Sequence, residues 1–126
     1  MSETEAENSE VPLWDQAGLE KRVRGKHDRM VKLINLFLED MPDRMEQLRI
    51  EITGQQLKEA KDTAHTIKGV SGNLGVSQLE SIVAELEIAV SNQANDDIER
   101  LMPTVNETYT ASHAILAQFV DDNPAP

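Results

Sequence analysis

Apolar residues recur in this chain at intervals of three and four from Met30 to Phe119, and no segment alternates as a half-buried strand does. Met30, Ile34, Phe37 and Met41 open the series. Pro42 removes a helix donor and crowds the preceding turn, which predicts a kink or break, with Met45, Leu48 and Ile52 resuming the stripe beyond it. After Gly54 come Leu57, Ala60, Ala64, Ile67, Ser71 and Leu74, closed by Gly75 where a C-cap glycine belongs. Leu79, Val83, Leu86 and Val90 follow, with Ser77 expected as N-cap and Glu80 as its capping-box partner. Ile98, Leu101, Val105, Thr108, Ser112, Ile115 and Phe119 carry the last helix, in which Pro103 is tolerable if the helix starts near residue 100. Four main helices are therefore expected, the first bent at Pro42, with a short helix before them from about Asp15 to Val23. Short connections make neighbours antiparallel, so the fold class is all-α: an antiparallel up-and-down four-helix bundle with a short extra N-terminal helix.

A chain of 126 residues holds one such domain. Its core must be aliphatic, because it has one Trp, one Tyr and two Phe. The lack of cysteine excludes disulfides, a thiol nucleophile and a cysteine metal site. No run approaches the roughly 18 apolar residues of a membrane span, and the start lacks a signal-peptide pattern. A net charge of −11 argues against nucleic acid, which selects basic surfaces. The expectation is a cytoplasmic, monomeric module without direct membrane insertion.

The charge is uneven. Glu3, Glu5, Glu7 and Glu10 stand without a basic neighbour, so residues 1–12 read as a disordered acidic leader or linker. Residues 13–120 form the domain, and 121–126, rich in Asp and Pro, a disordered tail. Lys21, Arg22, Arg24, Lys26, Arg29 and Lys32 cluster closely and read as a solvated helix face. After Val70 the only basic residue is Arg100.

The chemistry is concentrated in Lys58–Gly75. At roughly 100° per residue the apolar stripe centres near Ala60 and Ser71, and His65 lies roughly 130° away, towards solvent. Gly69 and Gly72 share its face, Lys61 and Lys68 flank it, and Lys58 stands two turns below. Each interior glycine costs roughly 0.5–1 kcal/mol relative to Ala, and no core packing calls for smallness on an outward face. Clearing side chains from beside an imidazole lets another surface reach the ring, and a nearby ammonium can hold an anion delivered to it. That combination suits a neutral imidazole acting as nucleophile towards a phosphoryl group. A single exposed histidine among lysines is more often an ordinary surface residue, so the pattern alone leaves both readings open. A di-iron bundle is excluded, because Asp62-x-x-His65 has no second carboxylate–histidine pair.

Ala64-His65-Thr66-Ile67-Lys68-Gly69, followed by Ser71, Gly72, Asn73, Leu74, Gly75 and Leu79, resembles the signature of histidine-containing phosphotransfer (HPt) domains of bacterial multistep phosphorelays. Ser71 stands where that family often has Ala. Leu13-Trp14-Asp15, the run from Leu33 to Leu48 and the Leu86-Glu87 pair extend the likeness over roughly Leu13–Phe119.

The resemblance implies that His65 accepts a phosphoryl group from a receiver-domain aspartate and passes it to another receiver. Lys68 would stabilise the phosphate, Gly69 would leave room for the partner, and Gly72, Lys61 and Lys58 would lie on the docking face. Gln78 or Glu87, from the next helix, would orient the imidazole. Such a module is a phosphocarrier without autokinase activity. It has no cofactor or metal of its own, and Mg²⁺ belongs to the receiver. Partners would be response-regulator receivers or a hybrid sensor kinase, of which the chain could be the C-terminal, cytoplasmic part. The acidic leader and the end soon after the last helix fit a terminal or free-standing module better than the phosphorylatable domain of a chemotaxis-type kinase. The alternative is a helical-bundle adaptor that binds a signalling partner and is never phosphorylated; the intact His-x-x-Lys-Gly run argues against it.

Overall fold

The computed structural model describes residues 11–124, and among these lie five helices and no strand. They are α1 (Gln16–Arg22), α2 (His27–Thr53), α3 (Leu57–Leu74), α4 (Ser77–Ser91) and α5 (Asn95–Asp122). Helices α2 to α5 each pack on the next, α5 closes back on α2, and α1 leans on α2. Their buried stripes meet in one aliphatic core that includes Ile34, Phe37, Ile67, Leu79, Leu86 and Leu116.

The helix count, the short N-terminal helix and most of the stripe follow the sequence pattern, and the departures have physical causes. Helix α2 runs unbroken through Pro42, which sits on the solvent side where water can serve the carbonyl that loses its donor. Helix α5 starts at Asn95 rather than near residue 100, so Pro103 lies deep inside it, again exposed. The stripe on α5 also slips: Leu116 is buried and Ile115 is exposed. Intervals of three and four average 3.5 residues, whereas a straight helix turns once in about 3.6, so the seam drifts roughly 20° per heptad.

The expected capping box does not form. The N-cap of α4 is Val76, and the Ser77 hydroxyl donates to the Gly75 carbonyl at 3.1 Å. Val76 is the buried residue of a Schellman motif instead, its N–H bonded to the Ser71 carbonyl at 2.9 Å and that of Gly75 to Gly72 at 3.1 Å. Gly75, at φ 76°, is the left-handed cap the sequence called for. The terminal boundaries also move. Helix α5 runs through Asp121 and Asp122, which the sequence assigned to a tail. Of the expected leader, residues 1–10 lie outside the described residues, while the Val11 carbonyl accepts a bond from Gln78 at 2.8 Å.

Candidate functional site

Helix α3 presents its two sides very differently. Ala60, Ala64, Ile67, Ser71 and Leu74 are buried along one side, which fixes how the helix rolls. The other side carries His65, with 68% of its side chain exposed, as the stripe required. Across from it on α4 stands Glu87, whose placement follows from the burial of its neighbour Leu86.

Glu87 binds two groups of α3 at once. Its Oε2 lies 3.0 Å from His65 Nδ1, and its Oε1 lies 2.8 Å from Lys68 Nζ. Burial pushes the Glu87 carboxyl up, but the hydrogen bonds and charges of Lys68 and His65 outweigh it, holding the group below the usual carboxylate range. An ionised carboxylate only accepts, so Nδ1 must be the protonated ring nitrogen. The lone pair of the neutral ring is then on Nε2, directed away from Glu87. The imidazole is therefore held in one tautomer with its nucleophilic nitrogen outward.

Other expected site residues separate into those that join this arrangement and those that do not. A Cβ added at Gly69 would meet nothing within 4 Å, so the surface beside His65 is clear. Gly72 is different: a Cβ there would meet the carboxylate of Glu80, the far end of an exposed side chain of α4, which would have to swing aside. Gln78 is not at the imidazole, because its amide is directed to Val11. Lys68 is paired with Glu87 rather than projecting free. Lys58 and Lys61 are exposed and enter no ion pair among the described residues. Asp62 is also exposed, and no group of three histidine or carboxylate side chains gathers as a metal would need among the described residues.

Two further features escaped the sequence reading. Arg22, counted there in a solvated cluster, donates through Nη1 to the carbonyls of Gly72 and Asn73, each at 2.6 Å. On the opposite side of α3, Thr63 is buried and its hydroxyl donates to Glu51 Oε1 at 2.6 Å, while Gln47 donates to Oε2 at 3.2 Å. A glutamate among apolar neighbours was the available signal for Glu51, but its spacing also allowed a solvated position.

A hollow of about 210 Å³ lies between α2 and the last turns of α3, and is lined by Leu33, Leu36, Val70, Asn73 and Leu74 among others. A larger one, about 550 Å³, has no lining residue on α3 or α4 and is remote from the chemistry. No helix among the described residues is long and apolar enough to cross a membrane. Compared with known proteins, residues 32–122 match the family model of the Hpt domain, a span that includes His65, Lys68, Gly69 and Glu87. No curated protein and no solved structure matches the chain.

Proposed function

The chain belongs to the Hpt domain family, whose role is phosphotransfer in two-component signalling, and from that premise we propose that His65 is the residue that carries the phosphoryl group between receiver domains. The observation that carries this reading is the Glu87 bridge, which engages Nδ1 and leaves Nε2 facing outward beside the open surface at Gly69.

In the proposed step the Nε2 lone pair attacks the phosphorus of a receiver's aspartyl phosphate. The N–P bond forms as the P–O bond to the aspartate breaks, and the aspartate leaves as carboxylate. The Nδ1 proton stays on the ring, and the positive charge that develops there is opposed by Glu87 at 3.0 Å. Lys68 exchanges one anion for another, turning from Glu87 Oε1 towards the incoming phosphoryl oxygens. Lys58 and Lys61 supply exposed positive charge on the approach, and Gly69 admits the partner. Mg²⁺ belongs to the receiver's acidic pocket, where it offsets phosphoryl charge. The reverse step delivers the group to a second receiver, so the chain is a carrier without autokinase activity.

We further read the bundle as an up-and-down one with antiparallel neighbours, because α2, α3, α4 and α5 are joined only by Gly54–Gln56, Gly75–Val76 and Asn92–Ala94. A monomer in the cytoplasm fits partners that are response-regulator receivers or a hybrid kinase.

Incubation with a ³²P-labelled receiver domain tests the assignment. Label should pass to the chain, be lost in acid and persist in base, and be absent from His65→Gln. Acid-stable label, or unimpaired labelling of His65→Gln, would remove His65 from the role.

A further inference from the structure

Helix α3 is weakest where the partner must approach. Gly69 and Gly72 each lower its helix propensity by roughly 0.5–1 kcal/mol relative to Ala. Its last turn has no basic residue to complement the helix dipole. The Schellman bonds serve the carbonyls of Ser71 and Gly72, but give no donor to those of Asn73 and Leu74.

Those missing donors come from one stretch of chain far away in sequence. Arg22 donates to the carbonyls of Gly72 and Asn73 at 2.6 Å, and its guanidinium is the cation the C-terminus lacks. Trp14 Nε1 donates to the Leu74 carbonyl at 3.0 Å, and the Asp15 N–H to that of Gly75 at 2.7 Å. The Asp15 carbonyl approaches to 2.8 Å of where a Gly75 Cβ would lie, so the glycine serves this contact as well as the turn. The stretch is itself fixed: Asp15 caps α1 through the Gly18 N–H, and Leu19 and Val23 are buried. Trp14 also packs edge-on against Phe119, with ring centroids 5.2 Å apart. A helix of seven residues does not persist alone in water, so α1 stands where these contacts hold it.

We infer that Val11–Arg22, which precedes the residues matched by the family model, is a clasp on the glycine-weakened end of α3 and a positioning element for the docking of the receiver. The inference rests on the phosphotransfer reading above. Val70, Asn73 and Leu74 of the clasped turns line the hollow together with Leu33 and Leu36, and Asn73 stands one turn beyond Gly69, so a partner that covers His65 and Gly69 next meets a surface whose shape the clasp sets. His65 itself is seven residues before Gly72, roughly 10 Å along the axis, and takes its tautomer from Glu87. The clasp therefore governs docking and leaves the reactivity of the imidazole unchanged. Arg22 and Trp14 are positioning residues, not catalytic ones.

Two phosphoryl donors separate docking from reactivity in the full chain and its Arg22→Ala and Arg22→Lys variants. Phosphoramidate, a small donor that needs no docking surface, should label His65 at equal rates in all three. Transfer from a phosphorylated receiver domain, followed over a range of receiver concentrations, should behave otherwise. In Arg22→Ala the half-saturating concentration should rise by about three- to tenfold at an unchanged plateau, the scale of lost charged hydrogen bonds. Arg22→Lys should recover most of it, since an ammonium also donates to these carbonyls. A receiver titration of Arg22→Ala that superimposes on that of the unaltered chain overturns the inference, as does an equal slowing with both donors. Absence of label at His65 in the unaltered chain with either donor defeats the phosphotransfer reading instead.

Discussion

Two glutamates reach α3 from neighbouring helices and meet it two residues apart, on opposite sides. Glu51 of α2 is 8% exposed and is held by neutral donors, the Thr63 hydroxyl and the Gln47 amide. Glu87 of α4 has 15% of its side chain exposed and is held by His65 and Lys68, both able to carry charge. The first contact ties one helix to another inside the protein. The second arranges an imidazole at the surface and opposes charge that appears on it. Similar carboxylates thus do different work because their donors and their access to water differ, and α3 is anchored on the closed side so that it can act on the open one.

Gly69→Leu should sharpen this contrast most. Space around Gly69 is open, so a leucine fits the free protein and raises helix propensity by up to about 1 kcal/mol. Melting temperature should rise while transfer from a phosphorylated receiver falls by about thirtyfold or more, with phosphoramidate labelling unaffected. Unchanged receiver kinetics would mean that the open side is not where the partner arrives.

The glutamates themselves come next. Glu87→Ala should slow transfer by about tenfold through loss of tautomer control and charge compensation, with little change in denaturation midpoint. Glu51→Ala should do the reverse, destabilising by about 1–3 kcal/mol because the buried Thr63 hydroxyl loses its acceptor, at unaltered transfer rates in the folded protein. Equal effects of the two variants on both measurements would break the distinction. Lys68→Ala should have a smaller effect, about three- to fivefold on transfer, because the His65–Glu87 bond survives it. An identical rate would exclude Lys68 from handling the phosphoryl group.

The two faces of α3 are not equally legible in the sequence. Helical spacing placed His65 outward, because a stripe of buried residues dictates the opposite face. Gly75 was legible as a cap, since its position at the end of the stripe demands a left-handed residue. Gly72 was not, although it shares a face with Gly69: spacing gives the direction of a missing side chain, not what a neighbouring helix puts there, here Glu80. Glu87 and Gln78 were equal candidates for the imidazole. Only the way α4 packs on α3 decides that Glu87 reaches it and that Gln78 turns to Val11. Arg22 looked like any exposed cation, and its partners lie 50 and 51 residues away in sequence. The Ser77–Glu80 box failed for a related reason: the Schellman motif carried Val76 into the core and left it as the N-cap.

Acid titration gives the smallest predicted effect, and the one most specific to the open side. The carboxyl of Glu87 sits below its usual range in the folded protein, so its contribution to stability is fully present above the unfolded carboxyl value of about 4.3. That contribution is lost as pH falls through the lower, folded value. The stability difference between the unaltered chain and Glu87→Gln should therefore shrink below about pH 4, in denaturant unfolding at each pH. Lys68→Ala removes one of the hydrogen bonds and charges that depress the carboxyl, so in that background the decline should begin at higher pH. The amplitude should be modest, since an ion pair this close to water is screened. A difference that grows towards low pH would mean that folding raises the Glu87 carboxyl instead. Burial would then dominate at Glu87 over its hydrogen bonds to His65 and Lys68.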